Sequence, residues 1–239
     1  MTRKWRIFIW SALALVIVPA VAFYVYTLDY YRADEAAVAA LHAQVDEQRA
    51  WQQERLWVFR PAADQDRGMG FIFYPGGKVE ATAYAPLLAE LSHSGITCVL
   101  AMMPFNLAVL DTDAADEVYG LLPDIHSWYI GGHSLGGAMA SSYANKHSGQ
   151  LSGLILLGAY PVGQTELPVL ALYGSEDQVL NHAKLEAELG PIEISGGNHA
   201  YFGNYGEQKG DGAAAITRDE QQRRTVEEIL RFIADHTGE

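Results

Sequence analysis

The chain of 239 residues has a single cysteine, Cys98, which excludes an intramolecular disulfide framework and any metal site built from several thiolates. Its setting, ITCVLAMM, is that expected of a buried small hydrophobe. Positive charge is also scarce: 16 Lys and Arg stand against 29 Asp and Glu, for a net charge of -13. The shortage is uneven. Residues 1 to 28 hold Arg3, Lys4 and Arg6 and no acid, which leaves 13 basic against 29 acidic residues, a net of -16, for the remainder. Such a surface repels nucleic acid and anionic lipid headgroups, so a polyanion-binding role is excluded and no nucleic-acid partner is expected. Repeats and low-complexity tracts are absent, and 49% hydrophobic content is enough for a substantial core, which excludes a disordered chain.

Residues 7 to 28, IFIWSALALVIVPAVAFYVYTL, lack charge altogether. As a helix these 22 residues would extend about 33 Å, the hydrocarbon thickness of a bilayer. The basic residues before the run and Asp29, Asp34 and Glu35 after it predict an amino terminus in the cytoplasm and a domain outside it. Trp5 and Trp10 near one end, and Tyr24, Tyr26, Tyr30 and Tyr31 near the other, stand where an aromatic belt would place them. The expectation is a single-pass signal-anchor in the cell membrane, with residues 1-28 forming a cytoplasmic tip and transmembrane span. A signal peptide cleaved near Ala22 competes with it, because Ala20-Val21-Ala22 offers an A-x-A site. The length and the flanks disfavour a buried helix of a soluble core.

Residues 33 to 55, ADEAAVAALHAQVDEQRAWQQER, mix alanine and charge at helical spacing, so residues 29-55 are expected to be a juxtamembrane helix or stalk. From residue 56 to 239 short apolar runs alternate with amphipathic windows. The runs are LWVFR (56 to 60), GFIFYP (70 to 75), ITCVLAMM (96 to 103), SWYIGG (127 to 132), LSGLILLGA (151 to 159), LPVLALYG (167 to 174) and PIEIS (191 to 195). Helical windows lie at 82 to 94, 114 to 122, 135 to 147, 181 to 189 and 218 to 236. Strands alternating with helices, several of them apolar throughout, predict an α/β fold with a mostly parallel, doubly wound sheet. The glycine-rich stretch 196 to 212 is longer than a connection needs and marks a functional loop.

One junction carries chemistry. Gly132-His133-Ser134-Leu135-Gly136 is a G-x-S-x-G motif that closes an apolar run and opens a small-residue helix. A nucleophilic serine needs a sharp turn that lifts it above the sheet edge, and glycines on either side let strand and helix approach. The helix amino terminus then offers the Leu135 N-H to developing negative charge. A serine hydroxyl also needs a base, and the base an orienting acid, in the chain order serine, acid, histidine. Asp177 follows LPVLALYG, with Glu176 as the alternative acid, and His199 follows PIEIS on the glycine-rich loop. His182 and His236 also follow the acid but lie in helical windows, and His133 is expected to serve in packing or helix-start chemistry. A second oxyanion donor is expected from Pro75-Gly76-Gly77-Lys78, either Gly77 or Lys78. GGK is no phosphate loop: it lacks the first glycine of G-x-x-x-x-G-K-[ST], and no Ser or Thr follows Lys78.

From about residue 56 to 236 the chain resembles the α/β-hydrolase superfamily, and within it a dienelactone-hydrolase-like branch of small, lidless bacterial serine hydrolases. The resemblance is carried by FYPGGKVEATAY, GGHSLGGAMA, VLALYGSEDQV and GGNHAYFGNYGEQKGDG. It implies a triad of Ser134, Asp177 and His199, with an oxyanion hole from Leu135 and Gly77 or Lys78. The chain departs from dienelactone hydrolases proper, whose nucleophile is cysteine, and it has Pro75 where many lipases and esterases have histidine, so neither substrate class carries over. Residues 159 to 167, AYPVGQTEL, are too few for a lid, which predicts an open pocket for a small or extended substrate.

The expected chemistry is acyl transfer to water from an ester or related small-molecule or envelope substrate, with no cofactor and no metal needed. Two other readings are a membrane-anchored acyltransferase, which would hand the same acyl group to an alcohol or amine, and a non-catalytic module that binds a ligand in the pocket.

Overall fold

The computed structural model describes residues 3–185 and 189–237. The chain divides between Tyr30 and Tyr31 into a helical unit and a folded domain.

The first unit is helix α1, Arg3–Leu28, which contains the uncharged run. Its best 18-residue window has a mean hydropathy of 2.3, with no part of it buried. By length and composition α1 can cross a membrane, as both membrane anchors and signal sequences do.

The domain is an eight-stranded sheet of β1 (Ala50–Gln53), β2 (Leu56–Phe59), β3 (Met69–Tyr74), β4 (Ile96–Ala101), β5 (Ser127–His133), β6 (Gly153–Leu157), β7 (Val169–Gly174) and β8 (Ile192–Ile194). Its order is β1-β2-β4-β3-β5-β6-β7-β8. β2 is antiparallel to both neighbours, and every pairing from β4 onward is parallel. The strands from β3 to β7 are apolar because both faces are covered, and alternate side chains divide between two cores. Phe71 and Phe73 point to α3 (Ala85–His93) and α6 (Arg218–His236), where Leu87, Leu88, Leu91, Ile229 and Ile233 close that side. Ile72 and Tyr74 point to α4 (Asp116–Leu121) and α5 (Leu135–Lys146), with Val118, Ala140 and Tyr143. The sheet is doubly wound, as its sequence predicts.

The expected stalk is part of the domain. Residues 35–46 do form a helix, α2 (Glu35–Asp46), capped by the Asp34 carboxylate, which accepts the Ala37 N-H at 2.9 Å. Ala37 and Gln44 on it are buried, and Gln44 Nε2 meets His93 Nε2 of α3 at 3.1 Å. Residues 50–53, expected to be helical, are the edge strand β1. The boundary of the fold therefore lies at Tyr31 instead of residue 56. Alanine and glutamine content suggests a helix here, but pairing Ala50–Gln53 with β2 satisfies an otherwise open sheet edge. Of the helical window at 181 to 189, a 3-10 turn at His182–Lys184 is seen, and residues 186–188 lie outside the described residues.

Candidate active site

Ser134 sits between β5 and α5 with φ 53° and ψ -122°, a left-handed conformation that a non-glycine residue adopts at a cost. Its N-H donates to Leu157 O of β6 at 2.9 Å, which holds the turn against the sheet edge. The flanking glycines are required by close approach. A Cβ at Gly132 would lie 2.4 Å from Tyr74 O, and one at Gly136 would lie 2.2 Å from both Tyr74 O and Pro75 O. These are backbone atoms of β3 and the loop after it, so they cannot turn aside.

The loop after β7 presents Asp177 and the loop after β8 presents His199, both buried. His199 Nδ1 and Asp177 Oδ2 are 2.7 Å apart, with the ring N-H donating to the carboxylate. Asp177 Oδ1 accepts the N-H groups of Val179 at 3.0 Å and Leu180 at 2.8 Å, so both oxygens are occupied and the carboxylate cannot rotate freely. His199 Nε2 has no hydrogen-bond partner among the described residues. Glu176, the alternative acid, instead accepts the Ser175 hydroxyl. His182 Nε2 bonds Asp177 O at 2.6 Å behind the acid loop, and His236 Nδ1 bonds Phe232 O within α6.

Ser134 and His199 line one cavity of about 290 Å³. Its other walls include Leu135, Ala138, Tyr160 and Leu180. Much of this lining is apolar, so the cavity suits a small organic group beside the serine. The loop after β3 borders Leu135: a Cβ at Gly77 would lie 2.8 Å from Leu135 Cδ2. Of the N-H groups in that loop, Gly76 donates to Tyr84 Oη at 3.1 Å and Lys78 to Asn106 O at 2.8 Å. No protein acceptor for the Gly77 N-H is found among the described residues. The Leu135 N-H, at the first position of α5, is one of the donors that a helix leaves unpaired.

Several supporting residues were not foreseen from sequence. Gln221 of α6 holds the histidine loop from both sides, accepting the Asn198 N-H at 2.9 Å and donating to Asn198 O at 2.8 Å. Asp211 accepts the Ala200 N-H at 2.8 Å from across the same loop. The signal for Gln221 was there: it is a polar residue on the face of α6 that also carries Thr225, Ile229 and Ile233. His133 is fully buried, with Nδ1 2.7 Å from Tyr84 Oη and its ring 4.4 Å from that of His199. Burial holds the His133 imidazole well below the usual histidine range; the His199 ring reinforces this and the His199 backbone opposes it more weakly. Burial likewise pushes the Tyr84 phenol upward, so both groups are neutral.

A family model described as the alpha/beta hydrolase family matches residues 70–223, which is more than half of the chain. The chain belongs to the alpha/beta hydrolase family. Several solved structures share its fold. An alpha-beta serine hydrolase homologue from Coxiella burnetii is 16% identical, with 75% of this chain and 95% of that one covered at a TM-score of 0.54. Est1E from Butyrivibrio proteoclasticus, seen with ferulic acid bound, is 13% identical, with coverage of 75% and 95% and a TM-score of 0.55. A candidate dienelactone hydrolase from Klebsiella pneumoniae is 16% identical, with coverage of 75% and 92% and a TM-score of 0.52. At these identities the likeness is one of fold. No curated protein matches the chain.

Proposed function

We propose that the protein is a serine hydrolase that cleaves an ester or related acyl bond through Ser134, His199 and Asp177. One observation carries this reading: a serine on a strained strand-to-helix turn shares a small cavity with a histidine whose far nitrogen is bonded to a buried carboxylate. In the reaction Ser134 Oγ attacks the acyl carbon as its proton passes to His199 Nε2. Asp177 holds the ring so that Nε2 is the nitrogen without a proton, and it stabilises the imidazolium that forms. The oxyanion takes the Gly77 and Leu135 N-H groups. Gly77 is favoured over Lys78 because the Lys78 N-H is already bonded to Asn106 O. The imidazolium then protonates the leaving alcohol, and a water deprotonated by His199 releases the acid.

The test uses the full chain in detergent with p-nitrophenyl acetate, beside Ser134→Ala. Turnover in the native protein and none above background in the variant is expected, and equal turnover in both would overturn the reading.

A further inference from the structure

Tyr84 closes the 3-10 turn Ala81–Tyr84 ahead of α3, and its side chain is fully buried. It is not among the residues that line the cavity, so the proposed chemistry leaves it unused. Its hydroxyl has two partners. The Gly76 N-H, 3.1 Å away, can only donate, so the oxygen accepts there. The one phenolic proton is then directed at His133 Nδ1, 2.7 Å away, which leaves the imidazole proton on Nε2. With the other tautomer two donors would meet the oxygen and its own proton would be stranded in the core.

The two partners are the immediate neighbours of the reacting groups. Gly76 precedes Gly77, and His133 precedes Ser134. The link is tightly packed: a Cβ at Gly76 would lie 2.8 Å from both His133 Nδ1 and Tyr84 Oη. His133 also rests against His199 on one side and has Phe202 at 5.7 Å. Its Nε2 is buried with no hydrogen bond of good geometry among the described residues, and the ring lies against the backbone of His199. What the histidine contributes to this link is the acceptor at Nδ1.

We propose that Tyr84 is a positioning residue: by bridging the Gly76 N-H and His133 Nδ1, its hydroxyl fixes the Gly77 N-H at the distance from Ser134 that the oxyanion requires. The inference rests on the serine-hydrolase reading and adds a residue to it. Tyr84→Phe removes one oxygen and keeps the ring in place between Phe73 and Tyr205.

The experiment measures phosphonylation of Ser134 by a fluorophosphonate probe, and p-nitrophenyl acetate kinetics, on the full chain in detergent. Removing a whole oxyanion donor costs about 100- to 1000-fold, so loosening one in Tyr84→Phe should slow both phosphonylation and kcat about tenfold or more with KM little changed. His133→Leu should show the same loss, and the double variant no further loss, because both break one link. His133→Asn keeps an acceptor near the Nδ1 position and should recover most of the rate. Tyr84→Phe that labels at the native rate, or losses that add in the double variant, would overturn the inference while leaving the hydrolase reading intact. A native protein that neither labels nor turns over would overturn the hydrolase reading, and the inference with it.

Discussion

Asp177 accepts three hydrogen bonds within the domain, one of them from His199 Nδ1. Asp177→Asn would keep the shape but present an amide, which favours the wrong histidine tautomer; kcat for p-nitrophenyl acetate should fall on the order of 10³- to 10⁴-fold. A decrease of less than tenfold would point to another orienting group. His133 makes a different prediction, about stability. Its folded pKa lies below the unfolded value of 6.5, so the unfolded chain takes up the extra proton. Its contribution is therefore complete above pH 6.5 and is lost as pH falls toward the folded pKa, by up to about 1.4 kcal/mol per pH unit. Urea unfolding of the full chain at several pH values should show this slope, and His133→Asn should flatten it. The motif residues could be read from sequence because glycine spacing and chain order are local properties. Tyr84 could not, because nothing in VEATAY shows that its ring reaches His133, 49 positions away.

The elements that hold the site differ in how legible they were. Seven strands announced themselves as apolar runs because the sheet is covered on both faces. Ala50–Gln53 did not, since an edge strand with one partner has little to bury. The segment before it, whose composition predicts a stalk, is bonded into the domain. Tyr31 N-H donates to Lys78 O at 2.8 Å, and Tyr31 O accepts the Glu80 N-H at 2.9 Å. The Asp34 N-H donates to Asn204 O at 2.8 Å, and the Tyr31 hydroxyl accepts the Lys209 N-H at 3.1 Å. Residues 31–34 thus join the loop that carries Gly77 to the loop that carries His199. Tyr31→Ala would remove the hydroxyl and the ring packed 5.6 Å from Tyr205, and should destabilise the domain by about 1-2 kcal/mol. Hydrogen exchange should quicken in residues 200–209 before it does in β5. Unchanged protection there would mean that the loop's other hydrogen bonds, from Gln221, Gln222, Asp211 and Ala83, hold it without Tyr31.

Charge and hydropathy are separated along the whole molecule, and that separation makes a prediction about attachment. The chain beyond residue 28 has a net charge of -16, which an anionic bilayer repels at distances up to about 10 Å at ordinary ionic strength. An attachment through α1 would instead work by burial of its apolar stretch, which salt does not screen. If α1 is a retained anchor, the full chain should sediment with membranes, resist extraction by roughly 1 M salt, where the Debye length is only about 3 Å, and dissolve only in detergent. A chain beginning at Asp29 should be soluble under the same conditions. Amino-terminal sequencing of the mature protein separates anchor from signal peptide: a start at Phe23, directly after the Ala20-Val21-Ala22 site, would mean cleavage. Release of the uncleaved chain by salt alone would overturn the anchor, because salt screens charge and leaves apolar burial intact.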